Sequence, residues 1–300
     1  MRIMLAVVSL AICAATPAHA QYWGLQGPGR ALAGMGIVAY QSRDWAQCTG
    51  SEEGAPPQRA ISACGRIISE RASRDVTASA HYYRSVLYRQ AGDATRADAD
   101  VDRAILLLVQ LTQAEPDNAD VLNNLIFLRS EKGDFAAAAA DYGRIAARRP
   151  QAAEPRLHQG EFFFRAGDYI SAISSFDMAA QLDPANALAQ SGRCEARAAA
   201  NRELELAQMA CAEALRLSDQ SAAAFISHGF LNFTQGHLEE ALADFTAAGE
   251  KDNTNPFGAY GYAVTSLRLG RHEADAAALL AQVTAAVPDV EMYARAGMSR

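Results

Sequence analysis

Lysine is almost missing from this 300-residue sequence: Lys132 and Lys251 stand against 25 arginines, and the formal net charge is −7. Arg148-Arg149 is too short a run to form a basic stripe, and it sits in a helix's last turn, where positive charge favours the dipole. Phosphate binding needs such a stripe, so no nucleic-acid partner is expected. Long apolar runs are lacking too. Beyond the N-terminus none reaches the ~20 residues needed to span a bilayer, so the mature chain should carry no transmembrane segment. Neither a glycine-rich phosphate loop nor a Gly-x-Ser-x-Gly elbow is present. Histidine is sparse after residue 20: His81, His158, His228, His237 and His272. None has a second histidine or a cysteine at metal-ligand spacing, and a zinc site needs about four converging ligands. Glu239-Glu240 reads as solvated charge on a helix face, because glycosidase-like work needs a cleft. No catalytic residue, metal or cofactor is expected.

The chain starts MRIMLAVVSLAICAATPAHAQYWG. Arg2, a short apolar run and Ala18-His19-Ala20 read as an export signal over residues 1–20, with cleavage after Ala20. The competing reading is a buried first helix. Lipoprotein processing at Cys13 is disfavoured by bulky Ile12, where a small residue is normally needed. The expected location is therefore outside the cytoplasm, in the periplasm. Residues 21–43 hold five glycines and a proline, the composition of a flexible mature N-terminus. Trp23 either docks on the first helix pair or hangs free.

What is plentiful is repetition. Pro116, Pro150 and Pro184 are evenly spaced at 34 residues, and Gly133-Asp134-Phe135 returns as Gly167-Asp168-Tyr169. Ala138, Ala172, Ala207 and Ala241 recur in one register, followed by Tyr142, Phe176, Cys211 and Phe245. A fixed period of this length marks stacked supersecondary units. Each unit reads as helix, turn, helix: a Gly-Asp turn separates two apolar-periodic runs, and a proline ends the second. The run of alanines around Ala138 suits a close helix approach. In the third unit Asn201-Arg202-Glu203 replaces the Gly-Asp-Tyr turn, and Asp219 replaces the proline.

These residues resemble the tetratricopeptide repeat, specifically from Pro116 to Pro288. The resemblance implies an all-α fold, a right-handed α-solenoid of stacked antiparallel helix pairs over residues 77–288, each pair too small to be stable alone. A degenerate hairpin is expected over 44–76. Residues 77–116 read as a unit with a long turn, a helix over 81–90 and a second over 104–113. Residues 289–300 form a cap and tail, with a short helix starting at an Asp289 cap and covering the last unit.

The mature chain keeps four cysteines. In the 34-residue register Cys194 takes the place of Gly160 and Cys211 that of Phe176, sites that face each other across one helix pair. The segment 61–68, ISACGRII, reads as the second helix of a degenerate unit, which puts Cys48 opposite Cys64. Bridges Cys48–Cys64 and Cys194–Cys211 are expected; the alternative is four small buried core residues. The segment RCEARAAANRELELAQMACAEALRL, 193–217, together with the early cysteine pair, is similar to exported tetratricopeptide proteins of alpha-proteobacterial type. That similarity implies a periplasmic protein of interaction type.

Ligands of the family often lie on the concave face lined by first helices. Carried onto this sequence, the face comprises Asn123, Asn124 and Phe127, then Leu157, His158, Glu161 and Phe164, then Ser191 and Glu195, then Ile226, Phe230, Phe233, Tyr260 and Val264. Basic residues are missing from it, so a clamp on a C-terminal carboxylate is not expected. Its aromatic residues suit an apolar peptide or partner helix; equally, they fit packing between units. The leading expectation is a non-catalytic scaffold with a protein or peptide partner. The alternative is an envelope enzyme or small-molecule binder, which would need convergent polar groups in a closed pocket.

Overall fold

The local rules of the chain dictate where its helices begin. Asp93 and Asp168 accept hydrogen bonds from the backbone N–H of Arg96 (3.0 Å) and Ser171 (3.1 Å). Asn118, Asn186 and Ser221 do the same for Val121, Ala189 and Ala224. Each such cap satisfies an N–H that the helix cannot, worth about 1 kcal/mol. At the turns, Gly133 and Gly167 take the left-handed conformation (φ 81° and 80°). Where Asn201-Arg202-Glu203 replaces the Gly-Asp-Tyr turn, Asn201 adopts φ 49° instead, because asparagine is the residue after glycine that best tolerates it. The chain still turns there, but Glu203 also takes a positive φ (50°) and gives the following helix no side-chain cap.

The computed structural model describes residues 43–50, 56–70 and 72–299. The expected signal, the N-terminus through residue 42, Trp23, and residues 51–55 lie outside the described residues. Among the described residues there are fifteen α-helices and no strand. They are α1 (Arg43–Cys48), α2 (Pro57–Ser69), α3 (Arg74–Gln90), α4 (Ala94–Ala114), α5 (Ala119–Lys132), α6 (Phe135–Arg148), α7 (Ala153–Ala166) and α8 (Tyr169–Leu182). There follow α9 (Ala187–Ala200), α10 (Leu204–Leu217), α11 (Ala222–Thr234), α12 (Leu238–Lys251), α13 (Pro256–Arg268), α14 (Glu273–Ala286) and, after a 3-10 turn Pro288–Val290, α15 (Glu291–Arg295). The architecture is an all-α solenoid of stacked antiparallel pairs. The described residues form two compact units, one ending at Asp141 and one starting at Tyr142.

In the first unit α1 pairs with α2 and α3 with α4. Cys48 and Cys64 are bridged, with Cα atoms 4.8 Å apart, inside a small core of Ala63, Ile67, Val76 and Ala80. The expected long turn in 91–103 is absent. α4 starts immediately after Asp93 and runs straight through the polar stretch ATRADADVDR. The reason is one buried stripe on that stretch, Ala97, Asp100, Val101 and Ala104. Asp100 is tolerated inside because Arg84 donates two hydrogen bonds to it (2.7 and 2.8 Å) and His81 Nδ1 lies 2.7 Å away.

In the second unit α7 pairs with α8, α9 with α10, α11 with α12 and α13 with α14. Ala172, Ala207 and Ala241 are fully buried at the closest approaches. Beside them Phe176 enters from α8 between two glycines. A Cβ on Gly160 of α7 would stand 2.8 Å from its ring, and one on Gly192 of α9 2.4 Å. Phe245 of α12 sits in the same way between Gly229 and Gly261. At the matching place of the intervening pair, Cys194 and Cys211 are bridged, with Cα atoms 5.3 Å apart.

Candidate recognition face

In the first unit Asn123 is exposed, Asn124 is fully buried, and Phe127 meets Tyr82 edge-on at 5.6 Å. In the second unit Leu157, Glu161, Phe164, Ser191, Glu195, Ile226, Phe230, Phe233, Tyr260 and Val264 are all buried, and His158 is partly so. First helices α7, α9, α11 and α13 carry them, so the register of the repeat does bring these residues onto neighbouring helices. They do not form an open groove, because the C-terminal segment lies across them.

Tyr293 of α15 is the anchor. Its ring lies 4.8 Å from Phe230, 5.7 Å from Phe257 and 6.3 Å from Phe164, centroid to centroid. Val290, Met292 and Met298 are buried with it. Polar contacts hold both ends. Arg165 Nη2 donates to Asp289 Oδ2 (3.2 Å), Tyr260 donates its hydroxyl to the carbonyl of Met298 (3.1 Å), and Arg268 donates to the carbonyl of Ser299 (3.3 Å). Asp289 therefore does not cap a helix as the sequence suggested; it sits in the 3-10 turn and its carboxylate goes to Arg165. The segment reaches beyond the last pair to α7, three first helices away from α13.

Two carboxyls lie beneath this strap. Glu161 and Glu195 are each 1 % exposed. Ser227 donates its hydroxyl to Glu195 Oε1 (2.5 Å). Burial pushes the Glu195 carboxyl up to about 7, against which the Ser227 and Tyr293 hydroxyls pull. In the fold it holds a proton that the unfolded chain releases near 4.5. Stability from this group is thus complete below about 4.5 and is lost as pH rises towards about 7. Glu161 contacts His158 Nδ1 through Oε2 (3.3 Å), and its Oε1 has no hydrogen-bond partner. Glu161, Phe164, Arg165, Phe176, Glu195 and Met292 line a narrow gap with no space for a water molecule. Glu161 and Glu195 border it, yet it has no room for a small-molecule substrate. Among the described residues no group of three or more His, Cys, Asp or Glu gathers as a metal site, and no helix is long and apolar enough to cross a membrane.

Several of the residues that shape this face were not read from the sequence: Arg165, Ser227, Met292 and Tyr293. The C-terminal segment reads from sequence as a cap on the last unit alone. The one available signal was Tyr293, the sole aromatic residue in the tail 288–300.

Residues 128–187 match a family model described as tetratricopeptide repeat. The solved structure of a tetratricopeptide repeat protein from Parabacteroides merdae superposes with a TM-score of 0.59, covering 84% of this chain and 100% of that one at 12% identity. The fold is the tetratricopeptide fold. Yeast Tom70 is also similar, with a TM-score of 0.51, 14% identity, and coverage of 86% of this chain and 57% of that one. A thermophilic tetratricopeptide protein of Thermus thermophilus aligns over 63% of this chain and 99% of its own at 19% identity and a TM-score of 0.46. No curated protein matches the sequence. Within the tetratricopeptide frame, the strap occupies the side of the second unit lined by first helices.

Proposed function

We propose that the protein is a tetratricopeptide scaffold that works in the periplasm, has no catalytic role, and recognises a protein or peptide segment through its first-helix face. One observation carries the reading. The face already holds a short segment of chain, the C-terminal strap, through an aromatic anchor, the Arg165–Asp289 ion pair and carbonyl contacts. A surface that seats such a segment has the chemistry that recognising a partner segment requires. The fold supports the same class of function, since stacked hairpins present extended surface. Two cysteine pairs at bonding distance support an oxidising compartment, and the signal-like N-terminus supports export.

The test is in-cell crosslinking from a photoreactive residue at exposed Asn123, with Met209 on an outer second helix as control. The expected result is one envelope protein captured from Asn123 and not from Met209, by a protein found in the periplasmic fraction with no free thiols. Cytoplasmic location with four free thiols would overturn the export reading. Absence of any partner captured from the inner face would overturn the scaffold reading.

A further inference from the structure

We propose that residues 288–299 are a displaceable strap, and that the partner segment which displaces it presents a basic side chain to Glu161 and Glu195 next to an aromatic one. The proposal rests on the scaffold reading and names the chemistry of the partner.

The strap fits its seat well at one point and badly at the next. At Tyr293 the fit is good: the ring is surrounded by Phe164, Phe230 and Phe257. At Met292 it is poor. This side chain closes the gap against Glu161 and Glu195, and offers them no donor. Glu161 Oε1 is left without a partner in a space that water cannot enter. A carboxylate oxygen stripped of water and given nothing in return disfavours the closed state. An ammonium or guanidinium at the Met292 position would supply charge-assisted hydrogen bonds where the low dielectric makes them strongest. Arg165 lines the same gap, but it is committed to the strap through Asp289.

The strap is also built to leave. Its helix has only five residues and is joined to α14 by the 3-10 turn Pro288–Val290, so it can lift from Val287 onward without unwinding α14. A partner that keeps the aromatic anchor and adds the missing cation would outcompete it.

The probe is a synthetic peptide of the strap sequence, PDVEMYARAGMSR, carrying Met292→Lys. It is added to the full-length oxidised protein at pH 8, above the range in which Glu195 holds its proton, and hydrogen exchange is followed in the protein's own residues 288–299. The lysine peptide should bind saturably and speed exchange of the strap amides at least tenfold. A Met292→Glu peptide should bind at least tenfold more weakly, and Glu161→Gln with Glu195→Gln in the protein should abolish the difference. In the full-length chain, Met292→Lys should slow strap exchange and Met292→Glu should speed it. Equal binding of the two peptides, no binding of either, or strap amides that exchange only with the whole fold would each overturn the proposal. If the lysine peptide fails while crosslinking from Asn123 still captures a partner, the strap proposal falls and the scaffold reading stands. If the peptide behaves as expected and no partner is captured, the reverse holds.

Discussion

In α7–α8 the second helix sends Phe176 inward, and glycine stands on both first helices that the ring meets, Gly160 and Gly192. In α9–α10 the residue at that place is Cys211. Its own first helix answers with Cys194, whose Sγ lies 3.7 Å from the carbonyl of Ser227 on the next. In α11–α12 the first solution returns as Phe245 with Gly229 and Gly261. Adjacent hairpins thus fill one interior position either with a large ring facing two bare backbones or with two small residues joined covalently. The volume is shared among three helices, so no member of the set can change alone. A close-packed interior leaves no other outcome. The cysteine hairpin gives up the apolar area of a ring and gains closure of a 17-residue separation.

Four measurements would break or sharpen this contrast. Phe176→Ala leaves a void facing two glycines and should cost about 4 kcal/mol in urea unfolding; a loss below about 1 kcal/mol would mean that the ring and the glycines are not matched. Removing the bridge with Cys194→Ala and Cys211→Ala should cost about 3 kcal/mol by the loop-closure argument. Reductant should destabilise the wild type, and a melting temperature that ignores it would show the covalent solution to be idle. Gly192→Ala pushes a Cβ to 2.4 Å from the Phe176 ring, and the forced shift should cost about 2 kcal/mol; in a Phe176→Ala background that cost should vanish. Gly249 of α12 has nothing within 4 Å of an added Cβ. The same substitution there should stabilise by about 0.7 kcal/mol, the ordinary helix preference of alanine. Destabilisation at Gly249 would show that glycine is favoured for a reason other than ring packing.

The hairpins were legible because their signals are local and periodic. Pro116, Pro150 and Pro184, and the Gly-Asp turns between them, mark helix ends within a few residues. The register alone placed Cys194 opposite Cys211, since both lie at fixed distances from one turn. α4 was misjudged because its polar N-terminal half, read by composition, looks like a loop; the stripe through Ala97, Asp100 and Val101 declares itself only once Arg84 and His81 are known to reach Asp100. The strap escaped for a different reason. Arg165 and Asp289 are 124 residues apart, and no repeat relates them. First-helix positions such as Phe164, Phe230 and Tyr260 could be placed on one side by register. What lies on top of them is a single long-range event, without a period to announce it.

Both bridges have a shared consequence. Each links two helices of one hairpin, across 16 and 17 residues, and neither ties one hairpin to the next. Oxidation therefore stiffens individual rungs and adds no covalent brace between rungs. Compliance from one hairpin to its neighbour rests only on noncovalent contacts, so changing the redox state should alter how firmly a rung holds its shape far more than how neighbouring rungs bend.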